Sequence, residues 1–183
     1  GLAGVCAAFV VMVNASPAFA ISCAKVPVLR ELAAAVAFSP SLRAAVDLER
    51  LGPRTITVDC DVLQGDGGTR TASVTGGFVA LALACRRLVE QGAVEKMPVI
   101  HYVSGVSAGI VEDTAVLDLP YQEDSRAQVD LNCMMNERGE IIEIQGTGEG
   151  RAFTVDEQQS LVALCAKGNR ELQAKQKEII GEL

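Results

Sequence analysis

A glycine turn that opens directly into a long, one-sided helical pattern constrains this chain more than any other feature. Gly67-Gly68 is followed by Thr69, and Val74, Phe78, Leu81, Cys85 and Leu88 then recur at intervals of 4, 3, 4 and 3. That spacing sets five apolar side chains on one stripe of a helix. Gly92, just beyond the stripe, is suited to the left-handed residue that ends many helices. A stripe of this kind has to lie on a second layer. Upstream, residues 54–63 (RTITVDCDVL) alternate Ile56, Val58, Cys60 and Val62 with Thr57, Asp59 and Asp61. This period of two predicts a half-buried strand.

Downstream, residues 99–111 and 114–119 predict two further strands joined by a turn at Glu112-Asp113. Residues 129–135 and 140–145 predict a hairpin around Asn136-Glu137-Arg138-Gly139. Thr154 and Glu157 have the spacing of a capping box, which opens a helix running to Lys167. Gly168 is expected to break it, with a last polar helix over residues 170–180. The order of strand, helix, several strands and then helices predicts a mixed α/β (α+β) layer, with helices packed on a sheet.

The 183 residues are 49% hydrophobic, enough for a sizeable core without disulfide or metal support. Sixteen basic against 23 acidic residues leave a net charge of −7. Such a chain has no global attraction for nucleic acid, so any polyanion it binds must meet a local group of cations. The six cysteines (Cys6, Cys23, Cys60, Cys85, Cys133, Cys165) contain no C-x-x-C pair, and His101 is the sole histidine. A structural zinc site is not expected on that spacing, and reduced, mostly buried thiols are expected. Cys60 reads as core and His101 as structural or surface. The phenylalanines form no ladder on which single-stranded bases could stack.

Composition changes near residue 40, because the first forty residues carry only Lys25, Arg30 and Glu31 as charges. Residues 2–13 are uncharged, and Ala18-Phe19-Ala20 follows like a signal cleavage site. The run is too short to span a bilayer, and a basic segment before it is lacking. No processing and a cytoplasmic location without membrane attachment are therefore expected.

Two places could carry chemistry. Gly67-Gly68-Thr69-Arg70-Thr71-Ala72-Ser73 would present free N–H groups and the positive end of a helix dipole, the makings of an anion site. Thr69 and Ser73 add hydroxyls, and Arg70 adds a fork of donors. The alternative is an ordinary Gly-Gly turn with a threonine cap and a solvated arginine. The second place is the segment from Tyr121 to Asp130. Asp124 closes a loop and Asp130 stands near the start of a strand, on the same face as Asn132. Two such carboxylates suit Mg²⁺ or Mn²⁺ sharing substrate phosphate oxygens; the alternative is an acidic loop. Together, the two places suggest phosphoryl or nucleotidyl transfer.

Read in order, RTITVDCDVLQGDGGTRTASVTGGFVAL, LDLPYQEDSRAQVDLNCMMN and EIIEIQGTGEGRAFT resemble the second half of the bacterial ribonuclease PH (tRNA nucleotidyltransferase) family. The resemblance covers residues 41–183 and not residues 1–40, where no counterpart of the family's G-R-T-x-E-I-Q segment occurs. It implies an N-terminally truncated member of the ribosomal-protein-S5 domain 2-like fold, whose β-α-β crossover is left-handed. It also implies a phosphate-dependent 3′→5′ exoribonuclease that trims tRNA precursor 3′ ends and serves tRNA and rRNA processing. Phosphate attacks the last linkage of the RNA and a nucleoside diphosphate leaves; the reverse reaction adds a nucleotide. By resemblance, Gly68, Thr69 and Arg70, with Ser73 beside them, bind the phosphate. Asp124 and Asp130 are implied as catalytic and as ligands of Mg²⁺ or Mn²⁺. Homo-oligomeric, hexameric rings are implied as the assembly. The competing expectation is an inactive family member that serves only as an assembly subunit.

Overall fold

The computed structural model describes residues 39–183. The chain divides into two units, Gly1–Arg43 and Ala44–Leu183. Of the first unit only helix α1 (Ser39–Arg43) is described. The apolar run 2–13 and the signal-like site after it lie outside the described residues. The second unit contains α2 (Leu48–Leu51), α3 (Thr69–Glu90), β1 (Val103–Val111), β2 (Thr114–Leu117), α4 (Tyr121–Asp124), β3 (Val129–Asn136), β4 (Ile141–Thr147) and α5 (Val155–Ile180). The strands form one sheet in the order β2-β1-β3-β4. Every pairing is antiparallel, so no parallel β-α-β unit occurs among the described residues.

The alternation of β3 divides this sheet into two unlike faces. Val129, Leu131, Cys133 and Met135 point to one side, where they form a core with Val106, Ala108 and Ile110 of β1 and Leu161 and Cys165 of α5. Asp130, Asn132 and Met134 fall on the other side. There Met134 and Thr71 of α3 both crowd Gly105, at 3.2 and 3.3 Å from where a Cβ would stand. The apolar face thus lies under α5, and the polar face lies under the start of α3.

Helix α3 matches the predicted stripe: Val74, Phe78, Leu81 and Cys85 are buried, and Gly92 has φ 67°. Phe78 is fully enclosed, with its ring 5.8 Å from that of Tyr102; burying a side chain of this size contributes about 1.5–3 kcal/mol. The same helix covers an edge that β2 leaves open. β2 pairs with β1 only over Ala108–Val111, and beyond it Thr75 Oγ1 accepts the Gly105 N–H at 3.0 Å. Gln176 of α5 donates to Val103 O at 2.8 Å. Among the described residues, side chains here meet edge groups that no strand pairs.

Three sequence expectations need correction. Residues 54–63 belong to no strand or helix among the described residues. Their alternation is real, with Ile56, Val58 and Cys60 less exposed than Thr57, Asp59 and Asp61, yet Val62 and Leu63 are exposed. A period of two records burial on one side; it does not supply a partner to hydrogen-bond with. Strand β1 begins at Val103 rather than residue 99, because Val99 instead forms an isolated bridge with Val46.

The third correction is at Gly168, where α5 runs on unbroken. A Cβ there would stand 3.1 Å from Leu117 and 3.2 Å from Val106, so the glycine lets the helix approach the sheet closely. The intrinsic cost of glycine inside a helix is only about 1 kcal/mol. The second half of α5 looks polar because three of its buried positions, Asn169, Gln173 and Gln176, are amides. Asn169 donates to Cys133 O at 3.2 Å and accepts from Ser104 Oγ at 2.6 Å. Gln173 donates to Met135 O at 3.0 Å, where the β3–β4 register shifts. The predicted capping box at Thr154 and Glu157 is present in both directions.

Candidate functional site

Helix α3 starts from Gly68, whose backbone is left-handed (φ 70°, ψ 27°) and whose position provides no side-chain cap. The first-turn N–H groups therefore keep their capacity to meet an anion. Gly67 has to be glycine, since a Cβ would lie 1.9 Å from the carbonyl oxygen of Leu119. That contact brings the loop before α4 against the helix start. Asp66 fastens the junction, because its Oδ1 accepts the Gly67 N–H at 2.9 Å and also the N–H of Tyr121, the first residue of α4. The Tyr121 bond first, then the Gly67 bond, hold the Asp66 carboxyl below its ordinary range.

Thr69 and Ser73 line a cleft of about 420 Å³ with residues of the segment 54–63, Val58, Asp59 and Asp61 among them. The Ser73 hydroxyl donates to Thr69 O at 2.8 Å, so its proton supports the first turn of the helix. Arg70 is not a solvated cation. Its Nη2 pairs with Glu143, and its Nη1 donates to Gln145 Oε1 at 3.3 Å; the side chain is 25% exposed. Glu143 and Gln145 stand two apart on β4, hence on one face, with Gln145 opposite Asn132 of β3.

Asp124 is the last residue of the short helix α4 rather than part of an open loop. Asp130 is the second residue of β3, and its Oδ2 accepts from Asn132 Nδ2 at 3.1 Å. Burial pushes the Asp130 carboxyl up, and the Asp124 carboxylate and then Glu149 push it further; the Asn132 bond works the other way. Two carboxylates in this relation resist being charged together. Among the described residues no cluster of three or more His, Cys, Asp or Glu is arranged to hold a metal ion. A cation at this pair would therefore need oxygen ligands from substrate or water, as Mg²⁺ usually does.

The structure adds Asp66, Ser107, Glu143 and Gln145 to the residues that the sequence singles out. Ser107 of β1 is buried, and its Oγ has no hydrogen-bond partner among the described residues. It lies 3.2 Å from the point where a Gly68 Cβ would be, on the sheet side of the helix start. Asp66 had a local signal in Asp-Gly-Gly, whereas Glu143 and Gln145 lie more than seventy residues from Arg70. Cys60 is half-buried, with Sγ 3.6 Å from Ser73 O, and burial followed by Asp59 raises its thiol. His101 binds Glu137 at 2.9 Å, away from the helix start.

The family model described as the 3′ exoribonuclease family, domain 1, matches residues 9–86, beginning upstream of Ser41. The model for domain 2 of that family matches residues 101–167. The chain is 56% identical over 141 residues to "Ribonuclease PH" of Corynebacterium glutamicum (strain R), covering 77% of this chain and 58% of that protein. It is 53% identical over 141 residues to "Ribonuclease PH" of Syntrophomonas wolfei, covering 77% of this chain and 59% of that protein. The chain thus spans somewhat more than half the length of these relatives. Among solved structures, a chain of the "Archaeal exosome core" superposes with TM-score 0.62 at 20% identity, covering 83% of this chain and 65% of that one. That likeness is one of fold.

Proposed function

We propose a phosphorolytic function for this chain, which belongs to the ribonuclease PH family of 3′ exoribonucleases. Inorganic phosphate attacks the last phosphodiester of an RNA. A new P–O bond forms to the terminal nucleotide, the 3′-oxygen of its neighbour leaves, and a nucleoside diphosphate departs. The substrate is the 3′ end of a tRNA precursor, with rRNA as a further target, and the setting is cytoplasmic. A ring of like chains is the proposed assembly.

One observation carries this reading. The strand register sets Asp130 and Asn132 of β3 and Gln145 of β4 on the face beneath the start of α3, and Arg70 reaches down to that face. An anion at the helix start and a scissile phosphate near Asp130 would then share one side of the sheet. In this reading the backbone of Gly68 and Thr69 and the Arg70 guanidinium hold the attacking phosphate. Ser73 keeps the first turn in shape. Asp124 and Asp130 would hold Mg²⁺ or Mn²⁺; the strain between their charges fits a cation. That ion supplies charge neutralisation at the scissile phosphate.

Arg70→Ala tests the reading. A charge-assisted contact worth ~1.5–3 kcal/mol would be lost, which is roughly a tenfold to hundredfold higher phosphate requirement. Phosphorolysis of a short oligo(A), followed at varied phosphate, measures it. An unchanged phosphate dependence in an active protein contradicts the assignment. No turnover by the unaltered chain would favour a role confined to assembly.

A further inference from the structure

We infer that Glu143, assisted by Gln145, is the positioning residue that sets the Arg70 guanidinium for phosphate; the inference rests on the phosphate reading above. Arg70 is the second residue of α3, and its side chain crosses to β4 rather than extending into solvent. There Glu143 accepts a hydrogen bond from Nη2 and Gln145 accepts one from Nη1. The two acceptors project from one face of one strand, so they fix the plane of the guanidinium as well as its position. Glu143 is 28% exposed on its side chain, comparable to Arg70 itself, which keeps water from replacing the pair freely.

A guanidinium has five N–H donors. Glu143 and Gln145 use two, which leaves Nε–H and one proton on each terminal nitrogen for an incoming anion. The planar fork needs two of these for a bidentate grip on phosphate. A free arginine side chain would have to be ordered at the moment of binding; this one is ordered beforehand, so less rotamer freedom is lost. The negative charge of Glu143 opposes an anion nearby, so its bond has to act through the orientation it gives the guanidinium. Geometry, rather than charge, is its contribution.

That distinction gives the test. Binding of inorganic phosphate to the full chain is measured by calorimetry for the unaltered protein, Glu143→Ala, Glu143→Gln and Arg70→Ala, with unfolding midpoints recorded without phosphate. Glu143→Gln keeps an acceptor oxygen in place while removing the charge. The expected result is about tenfold weaker phosphate binding for Glu143→Ala, the equivalent of one lost orienting hydrogen bond. Glu143→Gln should stay within about threefold of the unaltered chain on the same grounds. Equal or tighter binding by Glu143→Ala would show Glu143 to be only a competitor for Arg70 and would overturn the inference. So would a loss by Glu143→Gln as large as that of Glu143→Ala, since charge would then be the agent. If Glu143→Ala does not fold, Gln145→Ala takes its place: severalfold weaker phosphate binding supports the inference, and equal or tighter binding overturns it. Failure of the phosphate reading itself looks different: the unaltered chain and Arg70→Ala would both bind no phosphate, and the inference would fall with it.

Discussion

Gly67→Ala is expected to remove the site and much of the local stability with one methyl group. The new Cβ would lie 1.9 Å from the Leu119 carbonyl oxygen, a backbone atom that no rotamer change can move aside. Either the helix start or the loop before α4 has to retreat. Retreat of the loop pulls Leu119 out of a position where it is 1% exposed. The loss of that burial and the backbone shift together cost about 2–3 kcal/mol. The Asp66 bridge to Tyr121 would part as well, separating α4 and Asp124 from the anion site. Urea denaturation should show the lowered midpoint, and turnover should vanish. Gly65→Ala is the control: nothing lies within 4 Å of its Cβ, so its effect should stay within about 0.5 kcal/mol. If Gly67→Ala matched the control, the close approach would be no constraint.

Asp130→Asn is expected to act in opposite directions on activity and on stability. The folded Asp130 carboxyl sits above its ordinary value of 3.8, chiefly through burial and secondly through Asp124. A raised folded value means that the native state holds its proton longer than the unfolded chain does. Stability from this group therefore falls as pH rises from about 3.8 through the raised folded value, and stays reduced above it. Asparagine removes that penalty and still offers an oxygen to Asn132. The apo protein should consequently melt higher at neutral pH, and the gain over the unaltered chain should shrink as the pH falls below the folded value. Turnover should drop about 10²–10³-fold, the usual loss when one preorganised electrostatic group is removed. Paired melting curves across pH, with turnover at neutral pH, test both halves. A variant that melts lower at neutral pH would contradict the burial of a strained charge, and one that stays active would remove Asp130 from the site.

What was legible in the sequence was local. The stripe from Val74 to Leu88, the cap residue Gly92 and the Thr154–Glu157 box each depend on neighbours within one or two turns, and the structure has all three. The Glu112-Asp113 turn is likewise local, and both residues have positive φ. Misreadings arose where a distant surface decides. Gly168 resembles a helix breaker until Leu117 and Val106 are seen against it. The buried amides of α5 imitate an exposed helix because their partners are carbonyls of β1 and β3. Residues 54–63 alternate without a described strand to pair with.

The site divides in the same way. Gly68, Thr69, Arg70 and Ser73 are contiguous, and their glycine-to-helix arrangement announces a possible anion site. Asp124 and Asp130 flank one loop, and in the folded chain the Asp124 carboxylate adds to the rise that burial gives Asp130. The ties that join these groups run between distant parts of the chain: Asp66 to Tyr121, and Arg70 to Glu143 and Gln145. No periodicity encodes a contact over such separations; the packing of the α3 start against the loop before α4 and against the polar face of the sheet creates it.

In the proposed reaction phosphate, not water, takes the terminal nucleotide from RNA at the start of α3. This is tested most directly by giving the full chain an oligoribonucleotide with radiolabelled inorganic phosphate and Mg²⁺, then separating the nucleotides released. The expected product is nucleoside diphosphate carrying the label in its β-phosphate, formed only when phosphate is supplied and strongly reduced by Arg70→Ala. Release of unlabelled nucleoside monophosphate, with or without phosphate, would mean hydrolysis and would contradict it.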